Sequence, residues 1–278
     1  MNLISKKQRL LALAGTLALL STNASAHRVW VKPNTTVVSG DEAWVTFDAA
    51  IANDIFNPDH YAYPLEQLTA IAPGGDEISV QNAAKLKYRS VFDLHMQQEG
   101  TYRVVNSSRS LMASWEDENG DRVRWPERGK TGTKEALMAA VPMDAKGLNV
   151  VDYSRRLETF VTLGAPSDIS ESDDATGLTM SFLGHPNDLY TAEPNELTFT
   201  FDGQPAKGTS VTLVRENARY RDTNTAETYT ADKSGKVEIT FDKPGMYWLE
   251  ATYEDKNAQP PASERRGNYV VVLEVLPL

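Results

Sequence analysis

Lys236-Val237-Glu238-Ile239-Thr240-Phe241-Asp242-Lys243-Pro244-Gly245-Met246-Tyr247-Trp248-Leu249 reads as a strand, a tight turn and a second strand. Val237, Ile239 and Phe241 fall on one face of an extended chain, and Lys236, Glu238 and Thr240 on the other. Lys243-Pro244-Gly245 supplies the turn, and the apolar stretch resumes from Met246 to Tyr253. The same texture extends in both directions. Upstream, Leu197-Thr198-Phe199-Thr200-Phe201 alternates and turns at Asp202-Gly203-Gln204-Pro205. Ser210 to Val214 is a further strand, and Tyr229-Thr230-Ala231 runs into the turn Asp232-Lys233-Ser234-Gly235. Downstream, Tyr269 to Leu276 is the last strand. Short strands punctuated by Gly, Pro, Asn and Asp over about 100 residues predict an immunoglobulin-like β-sandwich over 177–278.

The first half repeats the pattern. Val29-Trp30-Val31, Val37-Val38, Ala43 to Phe47, Leu68 to Ala72, Ser90 to Met96 and Thr101 to Val105 are strand candidates separated by turn residues. They predict an N-terminal β-sandwich over 27–115. Glu99-Gly100-Thr101-Tyr102 in this half matches Pro244-Gly245-Met246-Tyr247 in the other, which suggests two similar modules in tandem. Between them, 116–176 is charged and glycine-dotted and reads as an insert and linker. It holds a short helix candidate at Lys134–Ala140, a strand at Leu157–Leu163 and the acidic group Asp168, Glu171, Asp173 and Asp174. The expected fold class is all-β: two tandem immunoglobulin-like β-sandwich modules after a cleaved signal peptide.

That signal peptide occupies 1–26. Lys6, Lys7 and Arg9 precede an apolar run from Leu10 to Leu20, and Ala24-Ser25-Ala26 closes it with alanines at −3 and −1. The run is short for a membrane helix, which needs about 20 residues. No later stretch is apolar enough to span a bilayer. Cleavage after Ala26 leaves 252 of the 278 residues and starts the chain at His27. The expected location is periplasmic.

Composition narrows the functions. There is no cysteine, so disulfides, thiolate metal sites and cysteine nucleophiles are excluded. The leader carries three positive charges and no negative ones, so the net charge passes from −10 to −13 on its removal. An acidic surface disfavours nucleic acid and anionic lipid. No Gly-x-Ser-x-Gly, His-Glu-x-x-His or Walker sequence is present, and no catalytic activity is expected.

Two stretches are similar to a known family. Ala26-His27-Arg28-Val29-Trp30-Val31-Lys32-Pro33 resembles the opening of DUF4198 proteins. Gly203 to Gly208, then Ala231-Asp232-Lys233-Ser234-Gly235-Lys236-Val237 and Lys243-Pro244-Gly245-Met246-Tyr247, resemble that family's second half. The resemblance implies a non-catalytic periplasmic role in transition-metal handling. It would be an accessory to nickel or cobalt uptake, or a neighbour of an outer-membrane receptor for metal chelates. The missing membrane span and the charged insert over 116–141 depart from the transporter-linked members.

Four histidines are the strong side-chain nitrogen donors: His27, His60, His95 and His185. At a free N-terminus, His27 offers its α-amino and imidazole nitrogens in one chelate. A second histidine would complete a three-nitrogen brace suited to copper and acceptable to nickel. The expected ligand set is His27 with at least one of the other three, holding a divalent transition metal or its chelate. An envelope receptor or transporter is the expected protein partner. Each histidine also has a plainer reading: His27 as the residue at which cleavage merely falls, His60 as a loop residue, His95 as a half-exposed strand residue and His185 as a turn residue; Asp93, on the face of His95, could orient its imidazole. Two other function classes stand beside metal binding. One is a structural or interaction module of the cell envelope. The other is a carbohydrate-binding protein using tryptophans, with Trp115 and Trp125 beside the insert the prime candidates. Asp117, Asn119 and Asp121 have a calcium-loop composition without its spacing, and read as a solvated loop.

Overall fold

The structure is a computed structural model that describes residues 27–169, 176–217, 220 and 226–278. The predicted leader, 1–26, lies outside the described residues, as do Glu171, Asp173 and Asp174 of the acidic group. Strands in chain order are β1 (Arg28–Pro33), β2 (Val37–Val38), β3 (Ala43–Ala52), β4 (Tyr61–Ala62), β5 (Thr69–Ile71), β6 (Glu77–Ile78), β7 (Gln81–Lys85), β8 (Ser90–Met96), β9 (Gly100–Glu116), β10 (Arg122–Trp125), β11 (Asn149–Leu163), β12 (Leu178–Phe182), β13 (Pro194–Phe201), β14 (Gln204–Pro205), β15 (Ser210–Arg215), β16 (Glu227–Thr230), β17 (Lys236–Thr240), β18 (Gly245–Asp255) and β19 (Glu264–Val275). The described α-helix, α1, is Lys134–Ala140.

Three sheets stack in layers. The outer N-terminal sheet has the order β1-β3-β8-β7, with β4 also on β3. The central sheet runs β16-β15-β18-β19-β11-β9-β5-β6, with β10 on β9 and β2 on β11. The outer C-terminal sheet is β12-β13-β14, with β17 on β13. The central sheet draws strands from both halves of the chain. Its seam is the parallel pairing of β11 with β19, from Val151↔Glu264 to Thr159↔Val272.

The two faces of that sheet fill two cores by strict alternation. Met246, Trp248, Val270 and Val272 point into the first core with Val29, Val31, Phe47, Phe92, Tyr102 and Leu157. Tyr247, Leu249, Tyr269, Val271 and Leu273 point into the second with Phe160, Leu197, Phe199, Phe201 and Ile239. Residues 269–273 of β19 are therefore buried without interruption, as expected of a strand covered on both faces. Trp248 sits 1% exposed in the first core, and its Nε1 donates to the Val29 carbonyl at 2.8 Å.

The chain is all-β with two sandwich cores, as the strand pattern predicted. The two sandwiches share a sheet rather than hanging on a linker. Residues 149–163, inside the predicted insert and linker, form the strand at the middle of the molecule. The part of the insert before that strand holds a hairpin and a helix over a small third core. β10 pairs with the end of β9, and α1 is capped by Thr133 Oγ1 accepting from the Ala136 amide. Leu137 of that helix is fully buried against Ala113, Val141, Val150 and Ala262.

The matched Gly-X-Tyr sequences make matched corners. Gly100 and Gly245 adopt φ of +129° and +132°. Tyr102 donates its hydroxyl proton to the Gln98 carbonyl at 3.0 Å, and Tyr247 donates to the Lys243 carbonyl at 2.7 Å. Each acceptor lies four residues upstream, the arrangement of the tyrosine corner of β-sandwiches.

Candidate metal centre

β3 positions the first two histidines. β1 pairs along one side of it, with Arg28 opposite Ala52. β4 pairs along its other side, with Tyr61 opposite Ile51. Residues 27 and 60 therefore sit at the same end of β3, one on each flank. The end of β3 lies between them. The imidazoles of His27 and His60 meet across this gap, with ring centroids 3.9 Å apart and planes 10° from parallel. Tyr61 abuts His60 edge-on at 4.0 Å, and Arg128 from the insert stands 5.8 Å above the Tyr61 ring. Asp59 is occupied otherwise: its carboxylate accepts from the Asn53 backbone amide at 2.9 Å and from Asn53 Nδ2 at 3.2 Å. Those bonds, the backbone one foremost, hold its pKa below the usual carboxylate value.

Residues that lead into a strand usually fray unless tied down. Here the tie is close. β1 begins at Arg28, the Arg28 guanidinium lies 5.5 Å over the Trp248 ring, and Trp248 bonds the Val29 carbonyl. His27 is exposed at the end of an anchored strand.

The other two histidines lie elsewhere. His95 on β8 is opposite Trp44 at the start of β3. Eight residues of strand separate that point from Ala52, or about 27 Å. Its ring stacks on Trp44 at 4.1 Å, and its Nε2 lies 3.1 Å from Glu42 Oε2. Asp93, expected to orient an imidazole on this face, instead accepts from Thr46 Oγ1 at 2.6 Å and Asn82 Nδ2 at 2.8 Å. Trp44 is 48% exposed on the outward face of its sheet.

His185 is consumed by hydrogen bonds. Its Nδ1 accepts from the Asn187 amide at 3.1 Å, so Nε2 carries the proton and faces Thr101 Oγ1 at 2.9 Å. Thr101 Oγ1 bonds Thr162 Oγ1 at 3.0 Å, and Asn187 Nδ2 donates to Thr162 Oγ1 at 2.9 Å and to the Thr36 carbonyl at 3.3 Å. Burial pushes the His185 pKa down. This histidine joins β2, β9 and β11 to the start of the C-terminal half.

The four histidines therefore divide into one pair and two singletons. Among the described residues, no group of three or more His, Asp or Glu side chains converges on a point that could hold a metal ion. The pair still fits a transition metal, because two imidazoles and the amine of a chain starting at His27 make three nitrogens. The parallel rings direct their lone pairs along parallel lines, so shared coordination requires one ring to turn. His27 is the more exposed of the two.

The remaining candidates resolve simply. Asp117 Oδ1 accepts from the amides of Asn119 and Asp121 at 2.9 and 2.8 Å, which makes this stretch the turn of the β9–β10 hairpin. Trp115 and Trp125 share a face of that hairpin and pack on the core beneath α1. They are not an open aromatic platform.

A family model described as "Domain of unknown function (DUF4198)" matches residues 24–255. The chain belongs to the DUF4198 family. The match begins three residues before His27 and ends at the last residue of β18, so β19 lies beyond it. None of the curated proteins matches the chain. Among solved structures, the chain is similar to Escherichia coli alpha-2-macroglobulin activated by porcine elastase, at 11% identity and a TM-score of 0.23. The match covers 88% of this chain and 20% of that one, so the DUF4198 chain spans a fifth of that protein's length. It is also similar to a DUF3823 family protein from Bacteroides uniformis, at 10% identity and a TM-score of 0.24, covering 78% of this chain and 92% of that one. The D0-D1 domain of Intimin matches at 10% identity and a TM-score of 0.21, covering 87% and 96%.

Proposed function

We propose that this DUF4198 protein is exported to the periplasm, is cut after Ala26, and binds a divalent transition metal, copper or nickel, through His27 and His60. It acts as a non-catalytic accessory in metal uptake, passing the ion or its chelate to an envelope receptor or transporter. The observation that carries this reading is the 3.9 Å contact between the imidazole of His27 and that of His60. It brings a second nitrogen ligand to the one histidine that the Ala-X-Ala junction would leave at the N-terminus. Imidazole and amine donors suit copper and nickel.

The test is calorimetric titration of exported protein with copper and nickel, with N-terminal sequencing of the same sample. His27→Ala and His60→Ala should each weaken binding by more than about tenfold, since even outer partners of metal ligands are worth about 10–100-fold. His95→Ala and His185→Gln should leave affinity unchanged. A mature chain starting elsewhere than His27, or equal affinity in His27→Ala, would overturn the proposal.

A second reading, an envelope interaction module without metal, draws on the exposed Trp44–His95 stack at the other end of β3. It requires that metal leave partner binding unaltered and that Trp44→Ala abolish it.

A further inference from the structure

Away from the histidines, the edge of the central sheet encloses a cavity of about 270 Å³ lined by side chains that include Arg103, Arg156, Thr69, Ser107 and Glu77. Sheet register explains its shape. On the face that carries the second core, Arg103 of β9 is opposite Phe160 of β11 and Ile71 of β5. Arg156 of β11 is opposite Ser107 of β9 and Tyr269 of β19. Two guanidiniums thus occupy positions where the neighbouring strands place aromatic side chains.

Both are deeply buried, Arg103 at 7% exposure and Arg156 at 5%. One buried carboxylate accompanies them. Glu158, 4% exposed, places Oε2 3.8 Å from Arg156 Nη1, while its Oε1 accepts from the Tyr269 hydroxyl. Among the described residues, two buried positive charges face one buried negative charge, and Arg156 is a partnered group. The surplus belongs to Arg103, whose Nε and Nη2 are buried with no hydrogen-bond partner among the described residues. Glu77 is in the same row of the sheet, opposite Ile71, but is exposed at the rim and makes no ion pair with Arg103 among those described. A buried guanidinium without partners is costly. A ligand that supplied paired oxygens would remove that cost, because the planar fork matches carboxylate and phosphate oxygens.

We infer that this cavity is a binding site for a small oxyanion, a carboxylate or a phosphate, received by Arg103 with Arg156 beside it. Thr69 and Ser107 supply hydroxyl donors in its wall. Its volume admits a small acid rather than a polymer, being just under the range of about 300–1,000 Å³ of drug-sized pockets. The site is independent of the histidine pair and needs no metal.

The test is a thermal melt of the exported chain in inorganic phosphate, in acetate and in succinate, against chloride at the same ionic strength. An anion at a hundredfold excess over its Kd should raise the midpoint by roughly 5–10 °C for a chain of this length. A response to phosphate alone, or to the carboxylates alone, names which oxyanion the site takes. Arg103→Met should abolish the response and leave the anion-free midpoint unchanged or higher, since an apolar replacement removes an unpaired buried charge. Glu77→Gln should tighten binding roughly two- to fivefold by removing a competing charge from the rim. The proposal fails if none of the three anions moves the midpoint relative to chloride. It fails equally if Arg103→Met responds as the parent does, or if Arg103→Met unfolds the anion-free protein, which would make Arg103 a structural group already satisfied in the fold.

Discussion

Trp248→Ala tests whether the two sandwiches are one cooperative body. Trp248 belongs by sequence to the second half, yet its ring is 1% exposed in the first core, bonded to Val29 and covered by Arg28. Truncating a buried tryptophan costs about 3–5 kcal/mol. The Val29 carbonyl loses its indole donor as well, which places the expected cost at the upper end. Chains of about 150–250 residues lose about 2–4 °C per kcal/mol, so the midpoint should fall by roughly 6–20 °C. Leu249→Ala is the partner variant. Its side chain is fully buried one residue along, on the opposite face, in the second core, and its loss costs about 2–5 kcal/mol. Differential scanning calorimetry should show a single transition for parent and both variants, shifted as a whole. Two transitions, with Trp248→Ala moving one and Leu249→Ala the other, would refute the shared-sheet argument and restore two independent modules.

Other outcomes follow from single contacts. Gly100→Ala should destabilise strongly, because a Cβ there would lie 2.7 Å from Pro73 Cβ and 2.8 Å from Ser167 Oγ at a φ of +129°; Gly120→Ala, with nothing within 4 Å, carries only the strain of a side chain at φ +85°, and urea titration should place its midpoint above that of Gly100→Ala. Tyr247→Phe should lose the corner bond to the Lys243 carbonyl at a cost of about 1 kcal/mol, read as a lower urea midpoint with unchanged slope. For pH, the His185 pKa is lowered in the folded state, so its contribution is complete above the unfolded value of about 6.5 and is lost as pH falls below it. Parent stability should therefore decline between neutrality and pH 5 by more than that of His185→Gln. At lower pH a second loss is expected, because the Arg265 hydrogen bond holds Asp255 below its usual pKa, and Asp202 is lowered chiefly through Arg109. Their stabilisation is present above about pH 4 and lost as pH falls through the folded-state values.

What the sequence disclosed were local features. Alternation placed β15, β17 and β18 within a residue or two and β13 within three, and the repeated Gly-X-Tyr announced two equivalent corners. Leu157–Leu163 was recognisable as a strand, but its neighbours were not, because β11 pairs in parallel with β19 more than a hundred residues away. One signal for that arrangement was present: Tyr269-Val270-Val271-Val272-Leu273 is apolar without alternation, the pattern of a strand covered on both faces. The insert's tryptophans misled for a related reason. Their charged neighbours suggested an exposed surface, whereas the hairpin register turns both rings onto the core under α1.

The same distinction separates the chemistry that could be read from that which could not. His27 was marked by the Ala-X-Ala pattern before it, a purely local cue. Which histidine approaches it depends on β1 and β4 flanking the same end of β3, information carried by pairing partners and not by spacing. His185 illustrates the cost of reading a residue type alone. Its two ring nitrogens are committed to Asn187 and Thr101, so metal binding there would dismantle contacts that tie the two halves together. Arg103 is the opposite case. Its setting, Tyr102-Arg103-Val104-Val105, is a charged residue within an apolar strand, and only burial without a partner turns that anomaly into a site. A histidine with every nitrogen satisfied argues for structure, and an arginine buried with nitrogens unsatisfied argues for a ligand.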